Sequence, residues 1–124
     1  MIDEILRGFV STALQDLQYS ENDEACMEGR EPRSIDLLGD GVLDSLRDYV
    51  AAWFARAEPY LLPSNYSLTF DLFEIGSDLY LTAVGHGCGF WDRTEKINRR
   101  DGDIISDIAP RIEVYVGDDG KVYA

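Results

Sequence analysis

Apolar positions along the first eighteen residues recur every three or four places. Ile2, Ile5, Leu6, Phe9, Val10, Ala13, Leu14 and Leu17 fall on one side, with Asp3, Glu4, Arg7 and Asp16 on the other. That stripe predicts an amphipathic helix over residues 2–18. Residues 18–33 lose the period, turn acidic and contain Glu31-Pro32, so an exposed loop is expected. Ser34 or Asp36 can cap a short turn over Leu37 and Leu38 that Gly39 stops. From Asp40 the helical period returns through Val42, Leu43, Leu46, Val50, Trp53, Phe54 and Ala57, and Glu58-Pro59 disfavours its continuation.

Beyond Pro63 the pattern changes to alternation. Tyr66, Leu68, Phe70 and Leu72 alternate with polar neighbours, most simply as a strand, with a short helix as the alternative. Leu79 to Val84 and Cys88 to Trp91 read as two limbs of a hairpin turned by Gly85-His86-Gly87. Asp101-Gly102-Asp103 can cap a short helix through Ile104, Ile105, Ile108 and Ala109, ended by Pro110. Residues 112–116 and 121–124 then form strands about the Gly117-Asp118-Asp119-Gly120 turn. The expectation is an α+β fold, two N-terminal helices packed on a C-terminal antiparallel β-sheet, as one domain over residues 1–124.

Composition narrows the class. A chain of 124 residues that is 45% hydrophobic, with fourteen aromatics, can bury a core, which excludes a disordered tail. No stretch approaches the roughly 20 apolar residues of a membrane span, and Asp3 and Glu4 stand where a signal peptide would be basic. A cytoplasmic protein is therefore expected. Cys26 and Cys88 fit that compartment as free thiols, since a small secreted domain would carry a larger even set.

Charge changes the picture more. Against 11 basic side chains stand 24 acidic ones, a net charge of −13. Residues 1–60 carry thirteen acids and five bases and the remainder eleven and six, so both parts are acidic, at −8 and −5. Such a field repels nucleic acid and anionic lipid and steers basic surfaces toward the protein. Glu21, Asp23, Glu24, Glu28 and Glu31 crowd one loop with only Arg30 among them. A loop of that kind is either a solvated surface or a copy of a phosphate run offered to a nucleic-acid-binding partner.

The candidate chemistry centres on the only histidine. His86 and Cys88 supply one His-x-Cys pair, short of the three or four ligands zinc requires, so neither a metal nor a cofactor is expected. Cys88 reads as a small core residue and no catalytic residue is assigned. Asp118-Asp119-Gly120 lacks the further acids of a calcium loop and reads as a turn. Arg93, Lys96, Arg99 and Arg100 form a local basic run that answers the acidic loop or, alternatively, holds a phosphate. His86, Trp91, Asp92 and Arg93 are the residues of that alternative ligand site.

Three stretches carry a resemblance: Asp78-Leu79-Tyr80-Leu81-Thr82, Gly85-His86-Gly87-Cys88-Gly89-Phe90-Trp91-Asp92-Arg93, and Val114 to Tyr123. They resemble a family of small proteins of tailed bacteriophages and prophages, whose members share a helical first half, a GHGxGFWDR box and a VGDDGKxY terminus. The helical half agrees in pattern alone. Where that family usually has Arg-Asn before the box glycine, this chain has Ala83 and Val84, so any chemistry of that pair is missing here. The resemblance implies a phage accessory protein and brings no reaction with it. Together with the charge it leads to an expected function: an acidic protein that binds a basic host protein, itself nucleic-acid-binding, in the bacterial cytoplasm. It would act as a nucleic-acid mimic, for example an anti-CRISPR or other anti-defence protein, as a monomer or small homo-oligomer. The alternative is a nucleotide or small-ligand site, binding or catalytic, on Gly85 to Arg93.

Overall fold

The computed structural model describes residues 2–20, 38–61, 72–85, 90, 99–118 and 121–124. Among them are four helices, α1 (Ile2–Ser20), α2 (Val42–Leu61), α3 (Leu72–Val84) and α4 (Arg99–Asp107), followed by two short strands, β1 (Tyr115–Val116) and β2 (Val122–Tyr123). The α+β expectation is therefore overturned. The described core is helix on helix, and its only sheet is the β1–β2 pair.

The expectation fails at α3. Leu79 to Val84, read as a hairpin limb, is the second half of a helix. Ile75, Gly76, Leu79, Tyr80 and Ala83 are buried at helical spacing, and Asp78 and Thr82 are buried beside them. A helix covered on nearly every side loses its polar face, and with it the period by which it would be recognised. Tyr80, Thr82 and Val84 also favour strands, so the composition pointed the wrong way. Of the strand expected over 66–72, Leu72 opens α3, and the remainder lies outside the described residues.

Two helices follow the sequence reading closely. α1 buries the predicted stripe from Ile5 to Leu17. α2 buries Val42, Leu46, Val50, Trp53, Phe54 and Ala57 but runs past Pro59, which had been expected to end it. Leu61, 1% exposed, and Tyr60, packed on the core, hold that last turn in place. Proline there removes one hydrogen bond near a helix end, where fewer are at stake.

α1 and α3 form the closest helix pair. Contacts advance together along both, from Gly8 against Phe73, through Thr12 Oγ1 donating to Ser77 Oγ at 2.7 Å, to Tyr80 bonded to Asp16. The two helices therefore run in the same direction. The seam closes on glycine from both sides. A Cβ on Gly8 would overlap the Phe73 carbonyl, and one on Gly76 would overlap the Ile5 carbonyl. Ser77 Oγ also donates to the Gly8 carbonyl at 3.4 Å.

The strands are shorter than expected for a local reason. The Ile112 amide donates to Ala83 O at 3.1 Å, so this stretch is tied to the end of α3 and not to a sheet. β1 and β2 pair antiparallel, Tyr115 with Tyr123 and Val116 with Val122. On its other side β2 meets Leu38 in a parallel bridge, and the Gly39 amide donates to Val122 O at 2.7 Å.

Candidate functional site

Both segments singled out from sequence lie outside the described residues: Glu21, Asp23, Glu24, Glu28 and Glu31 in one, His86, Trp91, Asp92 and Arg93 in the other. Their points of attachment are described. α1 delivers the chain to the acidic segment after Ser20, and α3 delivers it to the histidine box through Gly85. Because α1 and α3 are parallel, both segments depart from the same end of the pair. Gly85 takes φ of +74°, the left-handed conformation that ends helices, and its amide returns to Leu81 O at 3.1 Å. The Arg111 guanidinium lies where a Cβ on Gly85 would sit.

At that shared end a cavity of about 240 Å³ opens between Asp16 and Leu17 of α1, Tyr80 and Val84 of α3, and Ile112 to Val114. The Tyr80 ring is 1% exposed, and its hydroxyl donates to Asp16 Oδ2 at 2.6 Å. Burial raises the Tyr80 pKa, and the hydrogen bond and negative charge of Asp16 raise it further, so the phenol stays a donor. Sequence reasoning missed this group. The available signal was Asp16 itself, an acid one turn before a helix C-terminus, where the helix dipole disfavours negative charge.

A second, wider cleft of about 510 Å³ is lined by Thr82, Asp103, Ser106, Asp107, Ala109 and Arg111. Its hydroxyls serve the helices themselves: Thr82 donates to Asp78 O and Ser106 to Gly102 O, each at 2.8 Å. Among the described residues no three His, Cys, Asp or Glu side chains converge as metal ligands.

Charge is arranged by helix. α1, α2, α3 and α4 all place acids in their first turn, and none has a base in its last. First-turn acids stabilise the positive helix end, although Arg99 and Arg100 oppose Asp101 in α4, and Arg111 lies at the C-terminal end of α3. Asp44 and Asp48 add a like-charged pair one turn apart on the exposed face of α2, a spacing that costs a few tenths of a kcal/mol. Two ion pairs, Arg47 with Asp3 at 2.8 Å and Arg7 with Glu4 at 3.8 Å, are exposed and offset little of this field.

Buried Tyr80 and half-buried Tyr49 predict alkaline sensitivity. Tyr49 donates to Pro110 O at 2.6 Å, and burial pushes its pKa up to about 12. Both phenols have folded pKa values above the unfolded one near 10, so their contribution is complete below about pH 10 and is lost as pH rises through the folded values. Stability should be flat to about pH 9 and then fall by up to about 1.4 kcal/mol per pH unit for each tyrosine. Urea titrations from pH 8 to 11 will read this slope, and Tyr49→Phe should flatten it. An unchanged slope in that variant would remove Tyr49 from the account.

No described helix is long and apolar enough to cross a membrane. Compared with protein-family models, with curated proteins and with solved structures, the chain finds no match.

Proposed function

We propose that this protein is a phage-encoded acidic accessory protein of the bacterial cytoplasm, which binds the nucleic-acid-contacting surface of a basic host protein and blocks it, as an anti-CRISPR or related anti-defence mimic of nucleic acid. It acts by stoichiometric attachment, without turnover. The observation that carries the reading is the charge of −13 on the chain, together with an acid in the first turn and no base in the last turn of every described helix. A basic channel meeting such a surface is attracted from a distance and can accept carboxylates where it normally accepts phosphates. The sequence resemblance to phage proteins supports the setting, and the acidic run Glu21 to Glu31 is the densest contact candidate.

Exposed charges are screened beyond about 10 Å at 0.1 M salt, so capture of the host partner should weaken at least about tenfold between 0.05 and 0.2 M salt. Neutralising Glu21, Asp23, Glu24, Glu28 and Glu31 together should reduce capture while leaving the circular dichroism spectrum and unfolding midpoint in place. A parallel His86→Ala, Arg93→Ala variant separates the second reading, a ligand site on the box, which the guanidinium of Arg111 against Gly85 favours as a place for an anionic group. Normal capture by the charge variant, with loss of function in the box variant, would transfer the site to the box.

A further inference from the structure

We propose that the cavity at the common end of α1 and α3 receives the cationic end of a lysine or arginine side chain from the basic partner. This rests on the acidic-binding reading above and names the anchor within it. Three features converge there. Leu17, Val84, Ile112 and Val114 supply apolar wall for an aliphatic stem, and Asp16 and Glu113 supply carboxylates for its charge. Such stems pack on apolar surface while their charged heads seek polar groups.

The second feature is the direction of the helices. Parallel packing brings the C-terminal turns of α1 and α3 to the same cavity, and neither turn contains a base. Each helix end contributes roughly half a negative charge, which adds to the two carboxylates. The chain's own Arg111, resting against Gly85, offsets part of that charge at the end of α3, so Asp16, Glu113 and the end of α1 carry most of the attraction.

Preorganisation is the third. Asp16 is fixed by the buried Tyr80 hydroxyl at 2.6 Å, a short charge-assisted bond that orients the carboxylate before any partner arrives. The size also fits. A cavity of about 240 Å³ has room for the end of one basic side chain.

The test uses the full-length protein and three small probes, butylammonium, butylguanidinium and uncharged butanol, followed by two-dimensional amide NMR. Saturable shifts at Leu17, Tyr80, Val84 and Val114 with either cation, and none with butanol, are expected. The Asp16→Asn, Glu113→Gln double variant, its fold checked by circular dichroism, should bind the cations at least tenfold more weakly. Tyr80→Phe, which keeps both carboxylates but removes the phenol's bond to Asp16, should weaken them severalfold. An equal response to butanol, absence of saturation at these amides, or unchanged affinity in the double variant would overturn the proposal. Salt-sensitive partner capture that persists unaltered in the double variant would overturn the anchor and leave the acidic-binding reading standing. Cation binding without salt-sensitive capture would support the cavity and sink that reading.

Discussion

Replacing Trp53 by alanine is expected to remove about 3–5 kcal/mol of folding stability, a large share of the 5–15 kcal/mol typical of a domain. Trp53 is 1% exposed, and it joins three separate stretches of chain. Its ring stacks on Phe90 with centroids 5.3 Å apart and planes 12° from parallel. Its indole N–H donates to Ile105 O at 2.9 Å. That carbonyl lies in the last turn of α4, where the Ala109 amide has moved to Ser106 O, so the indole satisfies an acceptor the helix has left open. Trp53→Phe keeps a stacking ring but strands the carbonyl, and should cost about 1–3 kcal/mol. Urea unfolding of both variants, followed by circular dichroism, gives the comparison. A loss below 1 kcal/mol for the alanine variant would mean that α2, Phe90 and α4 do not meet as described.

Gly76→Ala should cost about 3 kcal/mol although alanine is the better helix former by about 1 kcal/mol. The added methyl would meet the Ile5 carbonyl, a main-chain group that cannot rotate aside, so α1 and α3 must separate. Gly8→Ala meets the Phe73 carbonyl in the same way. Both strains are relieved by one movement. The double variant should therefore lose clearly less than the sum of the two single losses, a coupling that a double-mutant cycle measures. Additive losses would show that the two glycines are not parts of one seam.

The helices that border water on one face were legible in the sequence, and the enclosed one was not. α1 and α2 repeat apolar residues every three or four positions because their outer faces must be polar, so Leu46, Val50, Trp53 and Ala57 could be assigned to the core directly. α4 was legible from its aspartate start and Pro110 stop, although it begins at Arg99, two residues earlier than the capping aspartates suggest. In α3 the polar face is missing, and alternation between Leu79, Leu81 and Ala83 imitated a strand. That one misreading hid the cavity as well. Asp16 and Tyr80 become neighbours only when α3 is a helix running parallel to α1, a relation between positions 64 apart that no local pattern carries. The charge could be read directly, whereas His86, Trp91, Asp92 and Arg93 fall outside the residues the structure describes.

The pairing of α1 with α3 has a consequence for synthesis. Thr12 and Ser77 face each other across the seam but are 65 positions apart. At about 5–20 residues per second, the ribosome adds that much chain in roughly 3–13 s. Through that interval α1 has left the exit tunnel with Ile5, Phe9 and Ala13 on a face whose glycine-fitted cover has not yet been made. The nascent chain is then a negatively charged amphipathic helix waiting for its mate, the form in which chaperones meet new proteins. Asp3 and Glu4 at its head, with the acidic run behind it, give such waiting chains mutual repulsion while the seam is still open.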